Sequence, residues 1–306
     1  MTGFAVQVRD LTVRYGSTVA LDNVSFDLRP GVITGLLGRN GSGKTTFLSV
    51  AAAFRRATSG AVLVDGEDPW ENARVMGGTC LVRESGDVLL DEPITENLGF
   101  LEQRRPTFDR TAAETLLEVL EIDPSKRPDK LSRGQRSAFG VVVGVATRAP
   151  LTLLDEVHLG MDAPARYAFY DALLADWIEH PRTIVLSSHL IGEVERLLED
   201  VVILDHGQVL AADDAATLRE QGLTVTGPAD AVDTFVAGRR VVARQALGRT
   251  AQATVIGSVP DDGARARAAG LELGAVGLQD LFVHLTGHPA ADDTARADTL
   301  TPQESR

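Results

Sequence analysis

Hydrophobic positions near the start of the chain recur about every second place. Residues 4–13 alternate loosely, and residues 22–28 (DNVSFDL) alternate cleanly with Val24, Phe26 and Leu28 on one side. Both predict strands of a half-buried sheet. Gly31 then breaks the chain before the apolar run VITGLL, which reads as a buried strand. A Gly-rich loop and a helical stretch over 44–54 follow. From 93 to 149 the period becomes helical, and in RTAAETLLEVLEI Ala112, Leu116, Leu117 and Leu120 share one face. Past Pro150, residues 151–154, 182–187 and 201–204 are short apolar runs of strand length, separated by helical stretches over 165–178 and 191–198. Short strands alternating with helices predict an α/β fold with a mainly parallel sheet covered on both faces.

After Gly222 the texture changes. LTVTG, PADAVDTFVAG, RRVVARQALGR, TAQATVIGS, PDDGARARAAG and LELGAVG predict the order β-α-β-β-α-β, and LQDLFVHLTG a last helix. The expected organisation is a large domain over 1–221, a small α+β extension over 222–287 and a disordered tail over 288–306. The 306 residues are 44% hydrophobic, enough for a sizeable core. Lys and Arg number 30 against 43 Asp and Glu, a net charge of −13. Such a surface repels phosphate backbones, so no direct nucleic-acid partner is expected. The single cysteine, Cys80, forms no internal disulfide. The start carries no secretory pattern, and no apolar run approaches the roughly 20 residues of a membrane span. These features predict a soluble, cytoplasmic chain.

The candidate chemistry begins at the Gly-rich loop. Gly38, Arg39, Asn40, Gly41, Ser42, Gly43, Lys44 and Thr45 fit G-x-x-x-x-G-K-[ST]. The glycines let backbone N–H groups converge on phosphates, and the following helix adds its positive end. Lys44 supplies a point charge to the terminal phosphates, Thr45 a hydroxyl for Mg²⁺, and Thr46 sits beside them. In LTLLDE, Asp155 is placed to hold the Mg²⁺ shell and Glu156 to polarise an attacking water. A nucleotide with Mg²⁺ is therefore the expected ligand, and phosphoryl transfer the expected chemistry.

Leu131-Ser132-Arg133-Gly134-Gln135 resembles the LSGGQ signature of ABC transporter ATP-binding subunits, and the resemblance runs over residues 5–215. It implies ATP as substrate, Mg²⁺ as cofactor and ATP hydrolysis as activity, on a P-loop, RecA-like core with an antiparallel β subdomain and an α-helical signature subdomain at about 85–149. It also implies that Ser132, Gly134 and Gln135 reach the γ-phosphate held by a second ATP-binding subunit, so that ATP is sandwiched between two chains. By the same resemblance Tyr15 stacks on adenine, Asp162 in Gly160-Met161-Asp162 belongs to the D-loop, and His189 contacts the γ-phosphate. The remaining histidines show no metal-ligand spacing.

Three positions depart from the family pattern: Arg133 for a glycine, Val157 for a proline, and Glu84 for the glutamine that ligates Mg²⁺. An ionised Glu84 still ligates Mg²⁺ but adds negative charge beside the triphosphate. Glu84→Gln is accordingly expected to raise steady-state ATPase activity; an unchanged rate across a Mg²⁺ titration would contradict this. Val88, Leu89, Leu90 and Ile94 fit either a groove for a membrane partner or the core of the helical subdomain. The resemblance places the chain at the inner face of the cell membrane, held there by a transmembrane permease. Its C-terminal extension resembles that of exporter-type subunits serving ABC-2-type partners. Two other readings are a soluble ATPase of the same type acting on ribosomes or nucleic acid, and a weakly hydrolysing regulatory subunit.

Overall fold

A computed structural model of the chain describes residues 3–83, 88–257 and 259–287. Glu84 and the tail over 288–306 lie outside the described residues. The chain divides into two compact units, Met1–Arg219 and Glu220–Arg306.

The large unit opens with a hairpin of β1 (Val6–Tyr15) and β2 (Thr18–Leu28), followed by β3 (Ile33–Leu37), α1 (Lys44–Ala51) and β4 (Ser59–Val64). β4 pairs with β1, giving a three-stranded antiparallel sheet of order β2-β1-β4. Its apolar face, with Val8, Val24 and Val62, joins Phe47 and Leu48 of α1 in one core. Phe26 meets Phe47 edge-on at 5.0 Å between ring centres.

Then come α2 (Ala73–Gly77), β5 (Thr79–Arg83), α3 (Ile94–Arg104), α4 (Arg110–Val119) and α5 (Arg133–Thr147). The buried face of α4 is Ala113, Leu116 and Leu117, continued by Leu120, while Ala112 is only half-buried. The spacing explains the difference from the sequence reading, because 113, 116 and 117 are i, i+3 and i+4. The apolar stretch ahead of α3 divides. Leu89 and Leu90 are exposed, whereas Ile94 is fully buried. Buried Asn97 clamps that stretch: its Oδ1 accepts from the Leu89 N–H at 2.8 Å, and its Nδ2 faces the carbonyls of Leu89, Glu92 and Pro93 at 3.0–3.1 Å.

The chain continues through β6 (Leu151–Asp155), α6 (Ala163–Glu179), β7 (Thr183–Ser188), α7 (Ile191–Val194), β8 (Asp200–Asp205), β9 (Gln208–Asp214) and α8 (Ala215–Arg219). A six-stranded sheet of order β5-β6-β7-β3-β8-β9 results, parallel except at β9. β3, β6 and β7 are buried at every position, as expected of parallel strands covered on both faces. They are adjacent in the order β6-β7-β3, so their carboxyl ends open side by side. In α/β sheets that edge is where ligands bind.

The second unit runs β10 (Gly222–Pro228), α9 (Ala229–Val236), β11 (Val241–Leu247), β12 (Thr250–Ile256), α10 (Asp262–Ala268), β13 (Glu272–Ala275) and α11 (Leu278–Thr286). Its antiparallel sheet has the order β11-β12-β10-β13, the ferredoxin-like split β-α-β arrangement. Val225, Val232, Phe235 and Val255 lie in its core. Among the described residues, no helix is long and apolar enough to cross a membrane.

Candidate active site

The phosphate loop leaves β3 at Gly38 and enters α1 at Lys44. Gly41 and Gly43 hold φ of 83° and 108°, where a side chain would be strained. A Cβ on Gly43 would also lie 2.5 Å from the Leu21 side chain. Arg39, Asn40, Gly41 and Thr45 are exposed, Gly43 is half-buried, and Gly38, Ser42, Lys44 and Thr46 are buried. The buried Ser42 Oγ has no hydrogen-bond partner among the described residues. An unmet hydroxyl inside a loop of converging N–H groups is what an anion-binding cradle presents before its ligand arrives.

Lys44 turns back into the loop, where its Nζ donates to the carbonyls of Gly38 at 2.7 Å and Arg39 at 3.2 Å. The same Nζ lies 3.2 Å from Glu156 Oε1. That contact is an ion pair without an aligned hydrogen bond, since Oε1 has no hydrogen-bond partner among the described residues.

Asp155 ends β6, nearly buried, and accepts from Ser187 Oγ at 2.6 Å. The parallel register sets Asp155 opposite Ser187, which explains the pairing. Glu156 follows with φ 51°, a left-handed conformation unusual outside glycine, and its N–H donates to the same Ser187 Oγ at 3.0 Å. His189, just past β7, brings Nδ1 to 2.8 Å from Glu156 Oε2. The sheet thus gathers Lys44, Asp155, Glu156 and His189 at one edge.

One residue there escaped the sequence reading, which left every histidine but His189 as background. His158 is buried, with Nε2 3.6 Å from Glu156 Oε2 and 3.4 Å from Ser188 Oγ. Its position three residues after Asp155 was the available signal. Burial, and then the charges of His189, Arg166 and Lys44, push His158 down to about 4 from the ordinary 6.5. The unfolded chain therefore binds this proton more readily. The resulting stability is fully present above the unfolded value and is lost as pH falls through the folded one. His158→Gln is expected to remove about 3 kcal/mol of acid destabilisation across that window. Urea unfolding of both proteins at a series of pH values checks this, and parallel pH profiles would contradict it.

Tyr15 is exposed, and the Arg55 guanidinium lies over one face of its ring at 3.6 Å. The signature residues gather elsewhere. Ser132 caps α5, accepting from the Gln135 N–H at 3.2 Å, while the Gln135 side chain accepts from the Ser132 N–H at 3.2 Å. This reciprocal capping box engages both side chains within the helix start. Asp162 caps α6, accepting from the Ala165 N–H at 2.9 Å. Ser132, Gly134, Gln135, Gly160, Met161 and Asp162 line an open cleft of about 450 Å³ that Lys44, Asp155, Glu156 and His189 do not line. Gly134 is held to glycine by close approach, since a Cβ there would sit 2.3 Å from the Gly160 carbonyl oxygen. Gly134→Ala should therefore cost about 1–3 kcal/mol through overpacking. Urea unfolding checks this, and a midpoint equal to wild type would contradict it.

A phosphate loop beside an Asp-Glu strand end on a parallel sheet defines a P-loop ATPase. Residues 21–158 match the family model described as ABC transporter. The chain is similar to the ABC transporter ATP-binding protein YtrB of Bacillus subtilis, 28% identical over 72% of this chain and 75% of that protein. It is also similar to the daunorubicin resistance ATP-binding protein DrrA2 of Streptomyces coeruleorubidus, 27% identical over 97% of this chain and 99% of that one. A solved structure of an ATP binding subunit of an ABC transporter shares the fold, with TM-score 0.63 and 23% identity over 71% of this chain and 92% of that chain. Across the curated relatives the share of their own length that is spanned runs from 37% to 99%. They include import proteins, a flippase and a resistance protein. Residues 21–158 thus carry an ABC transporter ATPase domain, and the chain is similar to the ATP-binding subunits of such transporters.

Proposed function

We propose that this chain is the ATP-hydrolysing subunit of an ABC export system, working as a dimer on a separate membrane-embedded partner. The observation that carries the export reading is the full-length similarity to a daunorubicin resistance protein, which runs through both structural units. Resistance to a small molecule is what outward movement of that molecule provides.

In this reading the loop N–H groups, the start of α1 and Lys44 bind the ATP phosphates, with Tyr15 offering adenine the face that Arg55 leaves open. Thr45 and Asp155 are hard oxygen donors at adjacent ends of α1 and β6, a set that fits Mg²⁺. Glu84 is the third proposed ligand. Mg²⁺ when bound neutralises phosphate charge as it builds in the transition state.

Glu156 is the general base. Incoming phosphates draw Lys44 away from Oε1, freeing that oxygen to take a proton from water. The water oxygen bonds to the γ-phosphorus as the bond to the bridging oxygen breaks, leaving ADP and inorganic phosphate. His189 holds Oε2 and orients the carboxylate. Ser132, Gly134 and Gln135 on one subunit meet the γ-phosphate on the other, and Asp162 lies at that junction. Closure on ATP and release after hydrolysis then drive the membrane partner.

Affinity purification of the chain from its native cells, in detergent, tests the partner. A co-purifying integral membrane protein is expected, together with loss of efflux when the chain is deleted. Recovery with ribosomes or nucleic acid instead would overturn the proposal.

A further inference from the structure

Glu156, His158 and His189 each bring one donor atom within 4.8 Å of the other two. Glu156 Oε2 is the hub, 2.8 Å from His189 Nδ1 and 3.6 Å from His158 Nε2. The two imidazole rings lie 6.3 Å apart, tilted by 41°. His158 is fully buried, the Glu156 side chain is 12% exposed and the His189 side chain 30% exposed, so the cluster is open on the His189 side.

Orienting a carboxylate needs one imidazole, and His189 already does it. A second, buried imidazole turns its Nε2 toward the same oxygen at 3.6 Å, which the orienting role leaves unexplained. Two imidazole nitrogens and one carboxylate oxygen form the donor set zinc takes where it keeps an open fourth position. A tetrahedral ion with zinc-length bonds holds its ligand atoms about 3.3 Å apart. The two distances to Oε2 bracket that spacing, and the third edge is within 4.8 Å. Imidazole donors select zinc, cobalt or nickel over magnesium, which prefers oxygen.

We propose that Glu156, His158 and His189 bind a divalent ion of the zinc class, and that its binding arrests hydrolysis by occupying the carboxylate. The site stands on the donor geometry alone; the arrest rests on the reading of Glu156 as general base. In the bound state Glu156 coordinates the ion in place of accepting a proton from water, and His189 is withdrawn from the phosphate.

The test separates the two parts. The full chain without nucleotide is titrated with Co²⁺ alone, followed by its visible absorption, and then with Zn²⁺ to displace it. Saturation at one Co²⁺ per chain is expected, with the intense absorption of a low-coordinate site. His158→Gln should weaken binding by at least about tenfold. His206→Gln, at a fully surface histidine, should leave it unchanged. If His158→Gln loses its fold by circular dichroism, His189→Gln, at a part-exposed position, replaces it. Absent saturation, or equal affinity in wild type and both site variants, overturns the site. Zn²⁺ should then inhibit MgATP hydrolysis at concentrations that saturate this site, and about tenfold higher concentrations should be needed in His158→Gln. Saturable binding with undiminished hydrolysis would overturn the arrest.

Discussion

Glu156→Gln is expected to lower steady-state ATP hydrolysis by about 100-fold or more while ATP binding is retained. The substitution keeps the side chain's size, so the left-handed backbone at 156 and its hydrogen bond to Ser187 stay in place. What it removes is the proton acceptor, because an amide takes no proton from water. It also removes the charge that pairs with Lys44 at 3.2 Å. Lys44 then has no carboxylate to leave before it meets phosphate, so ATP affinity should be equal to or higher than in wild type. With binding intact and hydrolysis blocked, the ATP-bound dimer should persist. Turnover assays with size measurement in MgATP read both effects together. Hydrolysis near the wild-type rate would remove Glu156 from the role of general base.

Lys44→Ala should act on binding rather than on the chemical step. A charged hydrogen bond contributes about 1.5–3 kcal/mol, so ATP affinity should fall roughly ten- to hundredfold. Lys44 is 4% exposed, and its ammonium touches two loop carbonyls and Glu156. Truncation strands those partners, so lower stability should accompany the weaker binding. Lys44→Arg is not expected to rescue it, because a planar fork does not fit where a compact ammonium folds back under its own loop. Nucleotide titration of folded protein, monitored by calorimetry, checks this. Wild-type affinity in Lys44→Ala would show that phosphate is bound elsewhere.

The elements legible in the sequence are those whose burial is continuous or strictly periodic. β3, β6, β7 and β8 stand out as short apolar runs because both of their faces are covered. In the second unit the order of strands and helices is visible in the turn residues between short alternating runs. β9 was not visible, because an edge strand burying few of its residues leaves a weak pattern in QVLAADD. β4 was obscured by its opening Ser-Gly. The helical stretch over 191–198 is a four-residue helix followed by a 3₁₀ turn, a length at which apolar spacing does not separate the two.

The site follows the same logic. Its phosphate loop and Asp155-Glu156 are contiguous in sequence and carry their chemistry in residue type. Ser132-x-x-Gln135 is a capping box that the residues themselves announce, although it was assigned to phosphate contact through the family resemblance. The place of His158 just after Asp155-Glu156 was a weak signal, because Ser188 and His189, which complete its surroundings, lie some thirty residues away. Only the parallel register of β6 and β7 brings Ser188 and His189 beside it.

In the proposed function ATP is enclosed between two ATP-binding subunits, a second copy of this chain or a homologous partner. The most direct test is the MgATP hydrolysis rate per subunit of the purified chain, measured against protein concentration. Because Lys44 and Glu156 lie at the carboxyl edge of the parallel sheet and the signature lines a separate cleft, a lone chain supplies only part of a sandwiched site. The rate per subunit should therefore rise with concentration and then level off as dimers saturate. A constant rate per subunit from dilute to concentrated protein would contradict the shared site and make each chain a complete ATPase on its own.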